Sequence, residues 1–334
     1  MSTSRRLSRY LLPLVLAAAL AATVLAKLAF AKGTATVGNG IVIVYNHLAY
    51  SSAAAAGTGM VLTSSGEILT NNHVVSGAGK LTVTVPAIGK AYTGKVVGYD
   101  VADDVAVIKL SGASNLKTVS ARTLPVTNGL RVTAVGNAGG TGSLTRAPGS
   151  VTATGTTITA SDDQGSSETL TGLIETDAAV QPGDSGGPLL DGAGRVVGMT
   201  TAASAGGSFR FADAQASSGY AIPIAKALKI AKQIDSGTST ARVHIGPTAF
   251  LGVSLSAGDG YGDGGVTVEG VVSGGPAAKA GLQAGDVIVA LDGHTVDSPT
   301  AVRTYVLSKR PGQKISVQTS GYATTLTLGS GPPQ

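Results

Sequence analysis

The chain has 334 residues, 43% of them hydrophobic, with 48 glycines, no tryptophan and no cysteine. The length allows two or three domains, and the lack of cysteine excludes disulfides and cysteine-ligated metal sites. The net charge of +5 does not mark a nucleic-acid binder: Arg5, Arg6, Arg9 and Lys27 lie in a 31-residue stretch without an acid, and the remaining body carries only +1.

Residues 1–31 read as an export segment. Arg5, Arg6 and Arg9 precede an apolar run from Leu11 to Ala26, and the run ends in "LAFA", with Ala29 and Ala31 in the A-x-A arrangement of a signal-peptidase site. Two forms stay open, a cleaved signal peptide and an uncleaved membrane anchor attached through residues 7–31. Either form places the body outside the cytoplasmic membrane, because the positive flank stays within. The expected location is therefore secreted or cell-envelope.

From about Gly40 to Ala202 the chain is punctuated into short β-branched runs, among them "GIVIVYN", "GMVLT", "GEILTNNHVV", "DVAVIKL" and "GRVVGMTTA". Turn residues separate them at spacings that fit antiparallel sandwiches or barrels rather than βαβ units. One helix follows, Pro223 to Ile234, with apolar residues at i, i+3, i+4 and i+7 and Gly237 to end it. Residues 237–248 are polar, contain Gly and Pro, and read as a linker. Residues 249–330 form a compact α+β module. It holds a short helix begun at Pro276, an Asp292-Gly293 hairpin turn, and a helix with Ser298 as N-cap and Pro299 at its first position. The last six residues, "GSGPPQ", read as a frayed tail.

Three places carry chemistry. His73 stands in "ILTNNHVV". Asp104 directly precedes the apolar run Val105 to Leu110, where a carboxylate is costly to bury unless paired. Asp103 is the rival, but only Asp104 abuts the run. Ser185 stands in "QPGDSGGPLL". A serine hydroxyl is a weak nucleophile that needs an adjacent base. An imidazole serves at neutral pH, and a buried carboxylate fixes its tautomer. The developing oxyanion needs preorganised donors. Gly183 lets the backbone turn its N–H inward beside that of Ser185, while Gly186 and Gly187 leave room for substrate.

"TNNHVV", "DVAVIKL" and "GDSGGPLL", in this order and spacing, resemble the trypsin-like serine proteases. "TGMVLTSSGEILTNNHVV", "TDAAVQPGDSGGPLLDGAGRVVGMTTA" and "GYAIPI" narrow the likeness to the HtrA (DegP-like) branch, in particular its secreted actinobacterial members. The last 80 residues or so resemble the PDZ domain that follows the protease there. The resemblance implies a mainly β fold. A chymotrypsin-like double β-barrel protease domain, residues 40–236, is followed by a small α+β PDZ domain, with the site between two six-stranded barrels. It implies His73 as general base, Asp104 as its orienter, Ser185 as nucleophile, and Gly183 and Ser185 as oxyanion-hole donors. It brings no cofactor and no metal. Polypeptide substrates, unfolded or damaged exported proteins, come with it, as do C-terminal peptide ligands of the PDZ domain and a homotrimer as candidate assembly. Backbone N–H groups around Phe250, Leu251, Gly252 and Val253 would grip the peptide carboxylate by β-augmentation. A peptide-binding chaperone or scaffold on a protease fold is the alternative.

Two departures from the family pattern stand out. HtrA members usually carry Asn before the nucleophile, where this chain has Asp184. The expectation is that Asp184 finds local donors, rather than an amine freed by cleavage before Ile41. The residue six before the nucleophile is Ala179, where trypsin has an acid. With Val180, Thr200, Thr201 and Ala202 as further walls, cleavage after small or medium apolar residues is expected. "GNAGGTGS", from Gly136, lacks the ending of a P-loop and reads as a rim loop of the site. Asp259 and Asp263 offer too few carboxylates for calcium and read as a hairpin loop. His47, His244 and His294 show no metal-ligand spacing.

Overall fold

A computed structural model describes residues 38–49, 53–162, 167–203, 209–211, 218–240, 242–257 and 264–333. The leader, residues 1–31, and the loop with Asp259 and Asp263 lie outside the described residues. Among the described residues no helix is long and apolar enough to cross a membrane.

Strands β1 (Ile41–Leu48), β2 (Ala54–Val61), β3 (Glu67–Thr70), β4 (Ala78–Val85), β5 (Lys90–Asp100) and β6 (Val105–Leu110) pair in the order β5-β4-β1-β2-β3-β6. Pairing of β5 with β6 closes this sheet into a barrel. Closure removes the free edges that an open sheet of such β-branched runs would expose. Val42, Val44, Ile68, Val83 and Ile108 are buried in its core. One helical turn, α1 (Asn72–Val75), follows β3 and carries His73. The sequence had grouped these residues with the strand. The difference comes from Asn46, whose Nδ2 donates to Val74 O at 3.0 Å and Ser76 O at 2.9 Å. These bonds satisfy carbonyls that a helix end leaves unpaired.

The second barrel repeats the plan. Strands β7 (Arg131–Gly136), β8 (Thr145–Asp162), β9 (Ser167–Thr176), β10 (Pro188–Asp191) and β11 (Val196–Ala203) join β13 (Gly219–Pro223), and β8–β9 pairing closes the ring. β12 (Phe209–Phe211) pairs with β8. A shared cluster fixes one barrel against the other: Met60, Leu69 and Val107 of the first pack with Leu173, Met199 and Tyr220 of the second. Helix α2 (Ile224–Asp235) seals this cluster with Ile224, Ala227, Ile230 and Ile234, the inward stripe of an amphipathic helix. Pro223 precedes the helix rather than opening it, and Gly237 ends it at φ +73°.

The segment expected as a linker is partly structured. Within it β14 (Val243–Ile245) adds to β5. Arg242 Nη2 lies 2.5 Å from Asp103 Oδ2, and Tyr99 shares a hydrogen bond with Thr248 Oγ1 at 3.1 Å. The C-terminal module has one sheet containing β16 (Val253–Ala257), β17 (Val266–Val271), β18 (Val287–Leu291), β19 (His294–Thr295), β20 (Lys314–Thr319) and β21 (Ala323–Thr327). Helices α3 (Pro276–Lys279) and α4 (Pro299–Leu307) contribute Ala277, Val302 and Val306 to the core beneath it. Asp292 and Gly293 both have positive φ, +44° and +80°, the geometry a tight hairpin turn requires. Ser298 Oγ accepts the Ala301 N–H at 3.2 Å as the N-cap.

Residues 329–333 of the tail are ordered by contacts rather than frayed. β15 (Thr248–Phe250) pairs antiparallel with β22 (Gly329–Gly331). Pro332 is buried, and Pro333 O accepts the Gly77 N–H at 2.7 Å. The Gly-rich composition that reads as disorder here permits close approach: a Cβ at Gly331 would lie 2.5 Å from Phe250 Cβ and 2.6 Å from its ring. Gly331→Val is therefore expected to cost about 1–3 kcal/mol by overpacking. The measurement is a lowered melting temperature together with faster proteolytic release of the C-terminal module.

Candidate active site

α1 and the turn before β6 bring His73 and Asp104 together. Asp104 is 4% exposed and holds φ +52°, an uncommon conformation for a non-glycine residue that the surroundings must enforce. His73 Nδ1 lies 2.9 Å from Asp104 Oδ2, and the His73 backbone N–H donates to Oδ1 at 3.0 Å. Thr201 Oγ1, from the second barrel, also donates to Asp104 Oδ2. Asn71 Nδ2 donates to the Asp104 carbonyl at 2.9 Å. A carboxylate only accepts, so Nδ1 carries the proton and Nε2 of the neutral ring is the acceptor. Asp103 faces the other way, 2.6 Å from Lys226 Nζ and 2.5 Å from Arg242 Nη2.

Ser185 lies at the barrel junction on a loop held by its carbonyls. Its own O accepts the Thr58 N–H at 2.8 Å, and its Oγ donates to Thr201 O at 3.4 Å. Gly183 and Gly186 have φ +99° and +83°. A Cβ would strike Asn137 O at the first and Thr58 O at the second, so both positions need glycine. Among the described residues neither the Gly183 N–H nor the Ser185 N–H donates to a protein acceptor. The rim loop after β7 abuts this loop, with the Gly139 N–H donating to Pro182 O at 2.8 Å.

Asp184 is buried. Its Oδ2 accepts the Gln181 N–H at 2.9 Å, a local donor, but among the described residues its Oδ1 has no partner, and it fills the space where Gly136 lacks a side chain. Burial pushes its carboxyl above the ordinary aspartate value, with only the Gln181 N–H opposing. The Ile41 N–H is used within the first barrel, donating to Gly38 O at 3.0 Å.

The expected pocket residues separate. Ala179 is exposed, and Val180 is half-buried against Gly219, where a Cβ would lie 2.6 Å from Val180 Cγ2. Glu175 Oε1 accepts from Ser218 Oγ at 3.0 Å beside them. Thr200 Oγ1 instead supports the nucleophile loop, 2.6 Å from Asp184 O and 2.9 Å from Gly187 O. Thr201 turns to Asp104, as above. Ala202 pairs with Tyr220 in the β11–β13 ladder, and its side chain lies outside the described ones. Sequence reasoning missed Thr58, Asn71 and the inward roles of both threonines, because their hydroxyl and amide partners are 12 to 125 residues away. In the C-terminal module Phe250, Leu251, Gly252 and Val253 line a groove of about 280 Å³ with Val302, Arg303 and Val306, and Ser76 of the first barrel borders it.

A family model of a trypsin-like peptidase domain matches residues 57–199, and one of a PDZ domain matches residues 249–327. The chain is 34% identical over 273 residues to a probable periplasmic serine endoprotease, DegP-like, of Chlamydia trachomatis, covering 78% of this chain and 50% of that protein. It is 34% identical over 280 residues to the serine protease Do-like HtrB of Bacillus subtilis, covering 79% and 58%. The chain thus spans 50–58% of the length of these curated relatives. Among solved structures it is similar to the HtrA-type protease AlgW with tripeptide, at 30% identity and TM-score 0.51, over 89% of this chain and 95% of that one.

The buried Asp184 gives stability a pH dependence. Its folded pKa is raised, so the folded state binds more protons than the unfolded state once pH exceeds the ordinary value of 3.8. Stability from this group is therefore lost as pH rises from there through the folded value. Asp184→Asn, which cannot ionise, is expected to gain on the parent over that window. Denaturant unfolding from pH 3.5 upward checks it, and a constant difference between the two proteins contradicts the assignment.

Proposed function

The chain belongs to the HtrA-type family of trypsin-like serine proteases with a PDZ domain, and on that premise we propose that it is an exported, cofactor-free serine endopeptidase. The observation that carries this reading is the pairing of His73 Nδ1 with the buried Asp104, beside a loop whose Gly183 and Ser185 N–H groups donate to no acceptor among the described residues. In the proposed reaction Ser185 Oγ turns from Thr201 O towards His73 and attacks the scissile carbonyl carbon, while His73 Nε2 takes its proton. The N–H groups of Gly183 and Ser185 stabilise the oxyanion. As the C–N bond breaks, His73 returns the proton to the leaving amine, leaving an acyl-enzyme that water hydrolyses by the same proton route. Asp104 stays ionised and holds the ring.

The leader pattern and relatives named as periplasmic support an exported location, secreted or in the cell envelope. Substrates are proposed to be unfolded or damaged exported polypeptides. The groove at Phe250–Val253 is proposed to take peptide C-termini, with the chain-terminal carboxylate on its backbone N–H groups. The protease unit is assigned to residues 40–236 and the PDZ unit to 249–330. A homotrimer is the proposed assembly.

A fluorophosphonate probe tests the chemistry. The parent protein is expected to be labelled and Ser185→Ala not. Absence of labelling in the parent favours the alternative of a peptide-binding chaperone. For specificity, Ala179, Val180 and Gly219 carry no charge, and Val180 packs beside Gly219. A peptide library is expected to show cleavage after Val, Ala or Leu, and strict cleavage after Arg or Lys would assign the pocket charge to Glu175 instead.

A further inference from the structure

We infer that Thr58, a residue of β2 in the first barrel, is a positioning residue that sets the oxyanion donors of the second. The inference rests on the serine-endopeptidase reading above. Thr58 is fully buried, and all its polar atoms are engaged. Its Oγ1 donates to Gly183 O at 2.7 Å and accepts the Asn137 N–H at 2.9 Å. Its N–H donates to Ser185 O at 2.8 Å, and its carbonyl accepts from Thr70 Oγ1 at 2.7 Å. One side chain and its own amide thus grip the nucleophile loop on both sides of Asp184.

The geometry of the peptide unit makes this grip matter. Each unit is planar, with C=O and N–H pointing in opposite directions. Pro182 O is held by the Gly139 N–H, which turns the Gly183 N–H away from the rim loop. Asp184 O is held by Thr200 Oγ1 and the Gly187 N–H, which turns the Ser185 N–H the opposite way. The unit between these two is the Gly183–Asp184 peptide. Its carbonyl is on Thr58 and its N–H on Gln181 O at 3.0 Å. Gly183 has no side chain to fix it and sits at φ +99°, a conformation that glycine adopts without strain. The Thr58 hydroxyl is therefore the side-chain anchor of the plane that sets the two oxyanion donors relative to each other.

Thr58→Val removes the hydroxyl at nearly constant volume. The expected result is a kcat for a peptide substrate reduced about 10- to 100-fold, below the 10²–10³ seen when an oxyanion donor is removed outright. KM is expected to change less than about twofold, because ground-state contacts remain. The rate of fluorophosphonate labelling should fall in parallel. The acid limb of the kcat/KM profile should keep its midpoint, since His73 and Asp104 are untouched. Thr58→Ser keeps the hydroxyl and is expected to restore kcat to within about threefold of the parent even where its melting temperature is lower. Thr58→Ala, read in the same assays, replaces Thr58→Val if circular dichroism shows that the latter does not fold. An unchanged kcat in the folded hydroxyl-free variant overturns the inference. So does a kcat for Thr58→Ser as low as that of the hydroxyl-free variant. A parent that is not labelled, or a Ser185→Ala that still turns over, overturns the endopeptidase reading and the inference with it.

Discussion

A carboxylate buried between two barrels must be satisfied by both of them. Asp104 is that carboxylate. Its side chain accepts from the His73 N–H and ring of the first barrel and from Thr201 Oγ1 of the second. An unpaired charge in this position would cost several kcal/mol, so the barrels cannot settle into a different mutual orientation without losing a donor. The apolar cluster of Met60, Leu69, Leu173 and Met199 supplies most of the attraction across the junction. That attraction is non-directional, and Asp104 supplies the register. Held in place, it fixes the tautomer of His73, which is the property the proposed chemistry requires.

The nucleophile loop obeys a related constraint. The carbonyls of Pro182, Gly183, Asp184 and Ser185 each have a partner, drawn from the rim loop, from β2 and from β11. With these carbonyls paired, the N–H groups of Gly183 and Ser185 donate to no acceptor among the described residues, the arrangement that the proposed oxyanion role requires. The Asp184 side chain is less well satisfied: its Oδ1 packs against Gly136 and has no donor among the described residues. Its neutral form suits that space better than its charged form, which is consistent with its raised pKa.

The C-terminal module is joined to the protease by more than a connector. β14 extends the first barrel, Tyr99 bonds Thr248, and Pro333 O accepts the Gly77 N–H just beyond α1. Leu307 of α4 packs on the first barrel's core, and Ser76 borders the groove at Phe250–Val253. The His73 turn and the groove are therefore neighbours, with contacts on both sides of residue 76.

The local signals in the chain determined a great deal. Alternating β-branched runs specified strands, the stripe of Ile224, Ala227 and Ile230 specified a helix, and Ser298 and Asp292-Gly293 specified a cap and a turn, because each depends on residues a few positions apart. The motifs around His73, Asp104 and Ser185 were legible for the same reason, and with them the family. What the sequence could not supply were partners distant in the chain. Thr58 reaches Gly183 across 125 residues and Thr201 reaches Asp104 across 97; a buried threonine that anchors a loop has the same letter as one that fills a wall. The tail was misread because glycine and proline are common both in disordered chain and in chain that must lie flat against a ring such as that of Phe250. Sequence by itself determined most of the elements and the family, and it pointed to the candidate reactive groups. Only the tertiary structure decided which buried donor meets which acceptor, since a hydrogen bond depends on distance and angle in space and carries no mark in the order of residues.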